Sequence, residues 1–442
     1  MIERLVLFGA TGDLAGRYLL PALAALHAAS KLPDGFEVVC GSREDPDEEA
    51  FRRTASERLE QHAADLPSAA REAIVRSLRY RSVDVTDSAG VASMVEPGRG
   101  PVAAYLALPP GLFPAAVTAL GGAGLAEGSR VALEKPFGED LAGAIELNRL
   151  LAEALGPAGE QATFRVDHVL GMATVQNLLA LRQNRVLEPL WNGTHVERVE
   201  ILWEETLALE SRAGYYDGAG ALKDVLQNHM LQVLCLVAME PPVNADEREF
   251  RARKVDVLRS VRPQASRRAR YGAGRLSDGD ETSVPAYAEE DGVDATRGTE
   301  TFAELTLELE AERWRGTTFV LRGGKALRRR HKGLVLFLRS QGGEPANELS
   351  IGIDGPVDIV LRLTGDASGR PAPVELRGVP PETDLPPYAR VLLDLLGSGH
   401  TLSVGADEAE WAWRVVTPVL EAWRANRVPL EEYPAGSDGP RR

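Results

Sequence analysis

Leu5-Val6-Leu7-Phe8-Gly9-Ala10-Thr11-Gly12-Asp13-Leu14-Ala15 is the stretch on which the fold turns. Its apolar run reads as a strand buried on both faces of a parallel sheet, because alternation is lost when neither face meets water. Tyr18-Leu19-Leu20-Pro21-Ala22-Leu23 then follows with helical apolar spacing. A strand, a glycine turn and a helix in that order are the context of a dinucleotide site. Glycine lets backbone amides approach a pyrophosphate at the positive end of the helix. The spacing is Gly-x-x-Gly rather than the longer three-glycine fingerprint, so alone it also fits a plain strand-to-helix turn.

Working outward, residues 36–41 read as the second strand, ending at Ser42-Arg43, where a residue beside the adenine ribose would lie. Arginine there suits a 2′-phosphate and favours NADP, although Glu44 and Asp45 count the other way. Residues 102–108 and 130–133 read as further strands, each running into a proline-bearing loop at the end that lines the ligand crevice. Lys135 stands just past the second of them. Phe164-Arg165-Val166-Asp167-His168 reads as a strand delivering Asp167 and His168 to its end. Residues 47–79 read as a charge-rich, solvated helical face.

The chain has 442 residues, more than one core usually supports, so two domains are expected. The boundary falls after residue 168: a dinucleotide-binding, Rossmann-like α/β domain over 1–168, and an α+β domain over 169–442, to which the family resemblance given below assigns substrate binding and dimerisation. Strand-like stretches follow at 195–206, 302–309, 316–321, 334–338, 348–353 and 357–363, around a helical block at 220–239. Strands grouped after a βα-repeating half imply a large, mostly antiparallel sheet packed on helices. Residues 267–296 read as a long surface loop.

Fifty Lys plus Arg against 65 Asp plus Glu leave a net charge of −15. That argues against nonspecific nucleic-acid or anionic-membrane binding, while a small anionic ligand could still meet a local basic patch. Cys40 and Cys235 sit in apolar runs and read as buried free thiols, which fits a reducing cytoplasm. The first residues lack a cleavable export pattern, and no apolar run is long enough to span a membrane, so a cytoplasmic chain is expected.

The chemistry concentrates in Gly220-Ala221-Leu222-Lys223-Asp224-Val225-Leu226-Gln227-Asn228-His229-Met230. Residues 222, 226, 230, 233 and 234 form an apolar helical face, and Asp224, Gln227, Asn228 and His229 crowd the rest. An isolated helix of this kind would suit a hydrogen-bonded core histidine, but the Asp167-His168 pair elsewhere tips the reading towards catalysis. Oxidising an alcohol with a nicotinamide requires a base for the hydroxyl proton, and histidine oriented by a carboxylate suffices. No metal is called for, since His27, His62, His195, His331 and His400 lack ligand-like spacing.

These segments, with Tyr105-Leu106-Ala107-Leu108-Pro109-Pro110, Glu134-Lys135-Pro136-Phe137-Gly138, Val175-Gln176-Asn177, Gly214-Tyr215-Tyr216-Asp217, Gly324-Lys325-Ala326-Leu327 and Tyr433-Pro434-Ala435-Gly436-Ser437, resemble the glucose-6-phosphate dehydrogenase family, of the bacterial type, along nearly the whole chain. The resemblance implies His229 as the general base for the anomeric hydroxyl of an aldohexopyranose. Asp167 then orients and stabilises the protonated base, and the product is a 1,5-lactone. Lys135 sits where cofactor and substrate are both held. Glu205, Asp224 and Lys325 match positions that bind sugar hydroxyls, His168 matches a phosphate ligand, and Arg330 falls on a second basic position near it. Gly9, Thr11, Gly12, Asp13, Leu14, Arg43 and Tyr105 fall on positions for NADP, with NAD possible. A homodimer or homotetramer is expected, built on the exposed face of the second-domain sheet.

One departure bears on substrate. The family signature continues Asp-His-Tyr-Leu-Gly-Lys, whereas this chain has Val169 and Met172 in place of the tyrosine and lysine. One alternative follows, the same chemistry on an unphosphorylated or differently substituted sugar; a second, of another class and independent of these positions, is a noncatalytic scaffold or regulatory homologue.

Overall fold

The computed structural model describes residues 1–209, 213–242, 247–276, 282–340, 347–354, 358–366, 371–379, 385–397 and 399–441. They fall into two compact units: Met1–Met172 with Asp246–Arg251 and Glu382–Glu410, and Ala173–Ala245 with Ala252–Pro381 and Trp411–Arg442.

The first unit is a doubly wound sheet in the order Ser403–Val404, Thr163–Val166, Arg130–Glu134, Ala103–Leu106, Arg4–Phe8, Glu37–Ser42, Leu78–Ser82. All neighbours are parallel except the antiparallel Ser403–Val404 edge. Every residue of Arg4–Phe8 is buried, as its apolar run requires. Strand order reverses beside it, which opens the ligand crevice at the carboxyl ends. Leu78–Ser82 escapes the sequence reading, which left it at the end of a solvated helical face. Only Leu78 and Tyr80 of this short edge strand are buried, and Arg79 and Arg81 alternate with them. The preceding helices, Glu48–His62 and Ser68–Ser77, bury Phe51, Ala55, Leu59, Ala70 and Ile74 and are amphipathic rather than wholly solvated.

Two returning segments complete this unit, so it extends beyond the single division drawn after residue 168. The hydroxyl of Ser403 accepts from the Arg165 amide at 3.1 Å. The buried Arg165 guanidinium meets Glu160 at 3.0 Å and donates to Asn148 at 2.6 Å. Helix Pro387–Leu396 comes so close to the 168–171 turn that a Cβ on Gly171 would lie 2.5 Å from the Pro387 carbonyl oxygen.

The second unit holds a nine-stranded sheet: Pro371–Gly378, Ile359–Asp366, Glu348–Asp354, His331–Leu338, Val196–Glu204, Thr318–Gly324, Phe302–Leu309, Val261–Gly272, Leu430–Pro434. It is antiparallel except where Val196–Glu204 pairs with Thr318–Gly324 and Leu430–Pro434 with Val261–Gly272. Val261–Gly272 corrects the surface loop expected from residue 267. Its arginines hid the strand, yet two of them are answered from the neighbouring strand: Arg267 meets Glu431 at 2.9 Å and Arg270 meets Glu432 at 3.2 Å. Residues 277–281 of that expected loop, and residue 357 of an expected strand, lie outside the described residues.

The helical block is also not one regular helix. Ala213–Ala221 breaks at Gly220 (φ 69°, ψ 172°), Leu222–Met230 is wound with i→i+5 bonding, and Leu231–Ala238 continues as an α-helix. Gly323 lets Leu222–Met230 approach the sheet, since a Cβ there would sit 2.9 Å from Leu226 Cδ1. Cys40 and Cys235 are both buried and not disulfide-bonded, and the Cys235 thiol donates to the Lys254 carbonyl at 3.6 Å. Among the described residues no helix is long and apolar enough to cross a membrane.

Candidate active site

In the first unit, Gly9 (φ +80°) turns the chain directly above its neighbour strand: a Cβ there would lie 2.1 Å from the Ala107 carbonyl oxygen. Gly12 donates back to the Gly9 carbonyl at 3.0 Å, closing the turn before the helical residues from Ala15. The turn walls a cleft of about 200 Å³ lined by Ala10, Thr11, Gly12 and Gly16 together with Glu44, Phe51, Arg53 and Arg58. A close-packed glycine turn at a helix N-terminus, opening on a cleft with arginines, fits the diphosphate and adenosine end of a dinucleotide. Asp13 is exposed, 3.5 Å from Arg58 and 3.7 Å from Arg17, and Leu14 is half-buried at the helix start. Arg43 is exposed past the end of Glu37–Ser42 and is not among the residues lining this cleft. Arg53 and Arg58, carried by a helix, were not singled out from the sequence. A larger cavity of about 500 Å³ includes His27, Glu37, Arg76 and Arg79 but none of the candidate residues, so its size says nothing about the chemistry.

Strand Arg130–Glu134 delivers Lys135 half-buried at its end, followed by a cis Lys135–Pro136 peptide. The buried Tyr105 hydroxyl donates to Glu134 at 2.5 Å, and the Tyr388 hydroxyl also bonds to Glu134. Burial pushes the Glu134 carboxyl up to about 7 despite the Tyr105 hydrogen bond and the Lys135 charge, and the Asp167 charge adds to the rise. Asp167 is 1% exposed and accepts from the Val169 amide at 3.1 Å. His168 stacks on Tyr388, with ring centroids 5.4 Å apart and planes at 15°. Tyr105 thus buttresses Glu134 from inside the sheet. Tyr388 and Glu134 were missed. Glu134 is legible as the residue beside Lys135, whereas Tyr388 lies more than 200 residues downstream with no local signal.

In the second unit, strand Val196–Glu204 leads into Glu205, gripped by Lys325 Nζ at 2.8 Å and Lys332 Nζ at 3.0 Å. Burial pushes the Glu205 carboxyl up, but the two ammonium groups outweigh it and hold it at about 2. The acceptor is therefore ionised throughout the physiological range. Lys325 lies over the Tyr216 ring at 5.3 Å, and its carbonyl accepts from the Tyr433 hydroxyl at 2.7 Å. His229 is 4% exposed and stacks on Trp203, two residues before Glu205, with centroids 5.4 Å apart. Asp224 stands half-buried on the same helix. Ordinary α-winding would set residues five apart about 140° from one another, whereas i→i+5 bonding stacks them one turn above the other. That winding turns Asp224 and His229 towards one face.

Glu300 anchors this helix and was invisible in the sequence. The Leu222 amide donates to Glu300 Oε1 at 3.0 Å and the Ala221 amide to the Glu300 carbonyl at 3.1 Å. Burial pushes the Glu300 carboxyl up to about 7, against the hydrogen bond from Leu222. Arg330 is 58% exposed and meets Asp354 at 2.6 Å, so among the second-unit candidates it is the outermost described.

A dinucleotide crevice in one unit and a histidine-bearing helix beside a carboxylate clamp in the other define a two-domain NAD(P)-dependent oxidoreductase acting on an alcohol. Residues 6–177 match the family described as "Glucose-6-phosphate dehydrogenase, NAD binding domain" and residues 179–442 "Glucose-6-phosphate dehydrogenase, C-terminal domain". The chain is 37% identical over 469 residues to a glucose-6-phosphate 1-dehydrogenase of Rhizobium meliloti, covering 98% of this chain and 94% of that one. It is 37% identical over 472 residues to the enzyme of that name from Mycolicibacterium smegmatis, with the same coverage. The crystal structure of glucose-6-phosphate 1-dehydrogenase from Mycobacterium avium superposes with a TM-score of 0.87 at 32% identity, covering 99% and 95% of the two chains. A glucose-6-phosphate dehydrogenase in complex with its substrate glucose-6-phosphate gives 0.89 at 29% identity with the same coverage. The chain belongs to the glucose-6-phosphate dehydrogenase family.

Proposed function

We propose that this chain oxidises the C1 hydroxyl of D-glucose 6-phosphate to the 1,5-lactone. NADP, bound at the Gly9–Leu14 turn with Arg43 and Tyr105, supplies the hydride acceptor. His229 takes the hydroxyl proton, and Asp167 orients the imidazole and stabilises its protonated form. Lys135 holds the reacting ends, while Glu205, Asp224 and Lys325 hold the sugar hydroxyls, acceptors and donors arranged around a polyol. His168 and Arg330 meet the phosphate.

The observation that carries this reading is the ionised Glu205 between two ammonium groups, two residues from the Trp203 against which the buried His229 packs. A scaffold has no use for an acceptor held at about 2 beside a buried base. The chain is proposed to work in the cytoplasm as a homodimer or homotetramer, which sedimentation would check.

The test is steady-state reduction of NADP and of NAD with glucose 6-phosphate against free glucose. Preference for the phosphosugar with NADP supports the proposal. Preference for free glucose would favour the second reading, motivated by a fully buried Val169 and a thioether at Met172 where the family signature carries a hydroxyl and an ammonium. Turnover of neither, with no binding of NADP, would leave the scaffold reading.

A further inference from the structure

We infer that Lys332 is a specificity-determining residue that meets the anionic end of the substrate and replaces the charge lost at Met172. This rests on the phosphosugar reading above.

Residues 169–172 carry no cation and no hydroxyl, so a phosphate dianion needs a positive charge from elsewhere. The second unit gathers cations at one place. Glu205 and Asp354 each have a close cation of their own, Lys325 at 2.8 Å and Arg330 at 2.6 Å. Lys332 is a third cation beside the same two carboxylates, 3.0 Å from Glu205 and 3.5 Å from Asp354. In these described ion pairs three cations meet two carboxylates, one of them the carboxylate assigned to the sugar hydroxyls. The Lys332 side chain is 12% exposed, so water screens its charge weakly.

The backbone aims it there. Strand His331–Leu338 lies between two others, with Lys332 opposite Trp203 on one side and Asp354 on the other. Its register with Glu348–Asp354 shifts between Lys332 and Gly333, a bulge of the kind that re-aims a side chain next to a site. Gly333 makes the bulge possible, because a Cβ there would lie 2.9 Å from the Ile351 carbonyl oxygen. Lys332 Nζ consequently sits 4.4 Å over the Trp203 ring, the indole that packs on His229. Arg330 lies just before this strand and meets the same Asp354 oxygen as Lys332. The longer of the two Lys332 ion pairs, to Asp354, is the one a phosphate would displace.

The experiment compares wild type, K332M, K332Q and K332R with glucose 6-phosphate and with glucose as substrates, and with inorganic phosphate as competitive inhibitor. In K332M and K332Q, KM for the phosphosugar should rise about 10–100-fold, as loss of one charge-assisted bond predicts, with kcat changed by less than about 3-fold. The preference for phosphosugar over glucose should fall at least tenfold, and the inhibition constant of inorganic phosphate should rise in parallel. K332R should recover most of both, and M172K introduced into K332M should lower the phosphosugar KM again. Equal losses on both sugars would assign Lys332 to supporting Glu205 and overturn the inference, as would an unchanged preference. A wild type inert towards both sugars would instead overturn the functional reading, and this inference with it.

Discussion

Glu134 shows how burial sets the state of a single residue. Burial in the sheet interior holds it at about 7 against the hydrogen bonds of two phenols and the charge of Lys135, and the charge of Asp167 adds to the rise. Its carboxyl lies above the ordinary value, so its protonated form is favoured by folding. That contribution is complete below about pH 4.5 and is lost as pH rises through about 7. Glu134→Gln should therefore be more favourable relative to wild type at pH 8 than at pH 5, by about 1–3 kcal/mol, read from denaturant unfolding at the two pH values. At His229 the expectation is kinetic. His229→Asn should lower kcat by about 10²–10⁴-fold with a far smaller change in sugar KM, because the base acts in the transition state. Lys135, Asp167, Asp224 and His229 stand in motifs that can be read along the chain, and Glu205 is assigned by the family resemblance. Glu134, Tyr388, Glu300 and Lys332 gain their roles from partners 29 to 254 positions away, which no local pattern displays.

Among the elements, the helix Leu222–Met230 depends on its start. Gly220 adopts a positive φ, and a Cβ there would meet Glu300 Oε1 at 2.5 Å, the oxygen that accepts from the Leu222 amide. Gly220→Ala should cost about 2–4 kcal/mol by thermal unfolding, and should lower kcat as the histidine helix loses its anchor. Gly9→Ala makes the same point for the cofactor turn. With φ at +80° and the Ala107 carbonyl oxygen 2.1 Å from the new carbon, the turn must move, and NADP affinity by fluorescence titration should fall by at least about tenfold. Existence and type of these elements could be read from apolar period and glycine placement. The i→i+5 winding could not, since the same residues also fit an α-helical stripe. Nor could Val261–Gly272, whose arginines look solvated until Glu431 and Glu432 stand beside them.

For the whole molecule, acid response is set by opposed groups. Burial, with the charges of Arg130 and Arg251, pushes His400 down to about 4, so its contribution is complete above about 6.5 and is lost as pH falls through 4. Glu205, held at about 2, contributes fully above about 4.5 and loses that as pH falls towards 2. Glu300 opposes them with the sign already worked out for Glu134. His400→Asn should therefore lose less stability than wild type between pH 7 and pH 4.5, by about 1–3 kcal/mol, as measured by urea unfolding.

The sequence by itself determined the doubly wound half, its glycine turn, the strand-rich second half and the motif residues that mark the family. These are encoded locally, in apolar period, in glycine spacing and in runs of a few residues. Only the tertiary structure decided that segments from beyond residue 380 complete the first unit, that Glu300 anchors the histidine helix, and that Lys332 joins Lys325 around Glu205. The physical reason is that charge state, burial and strand edge are properties of an environment. That environment is assembled from residues far apart in the chain, and it exists only once the sheets have formed.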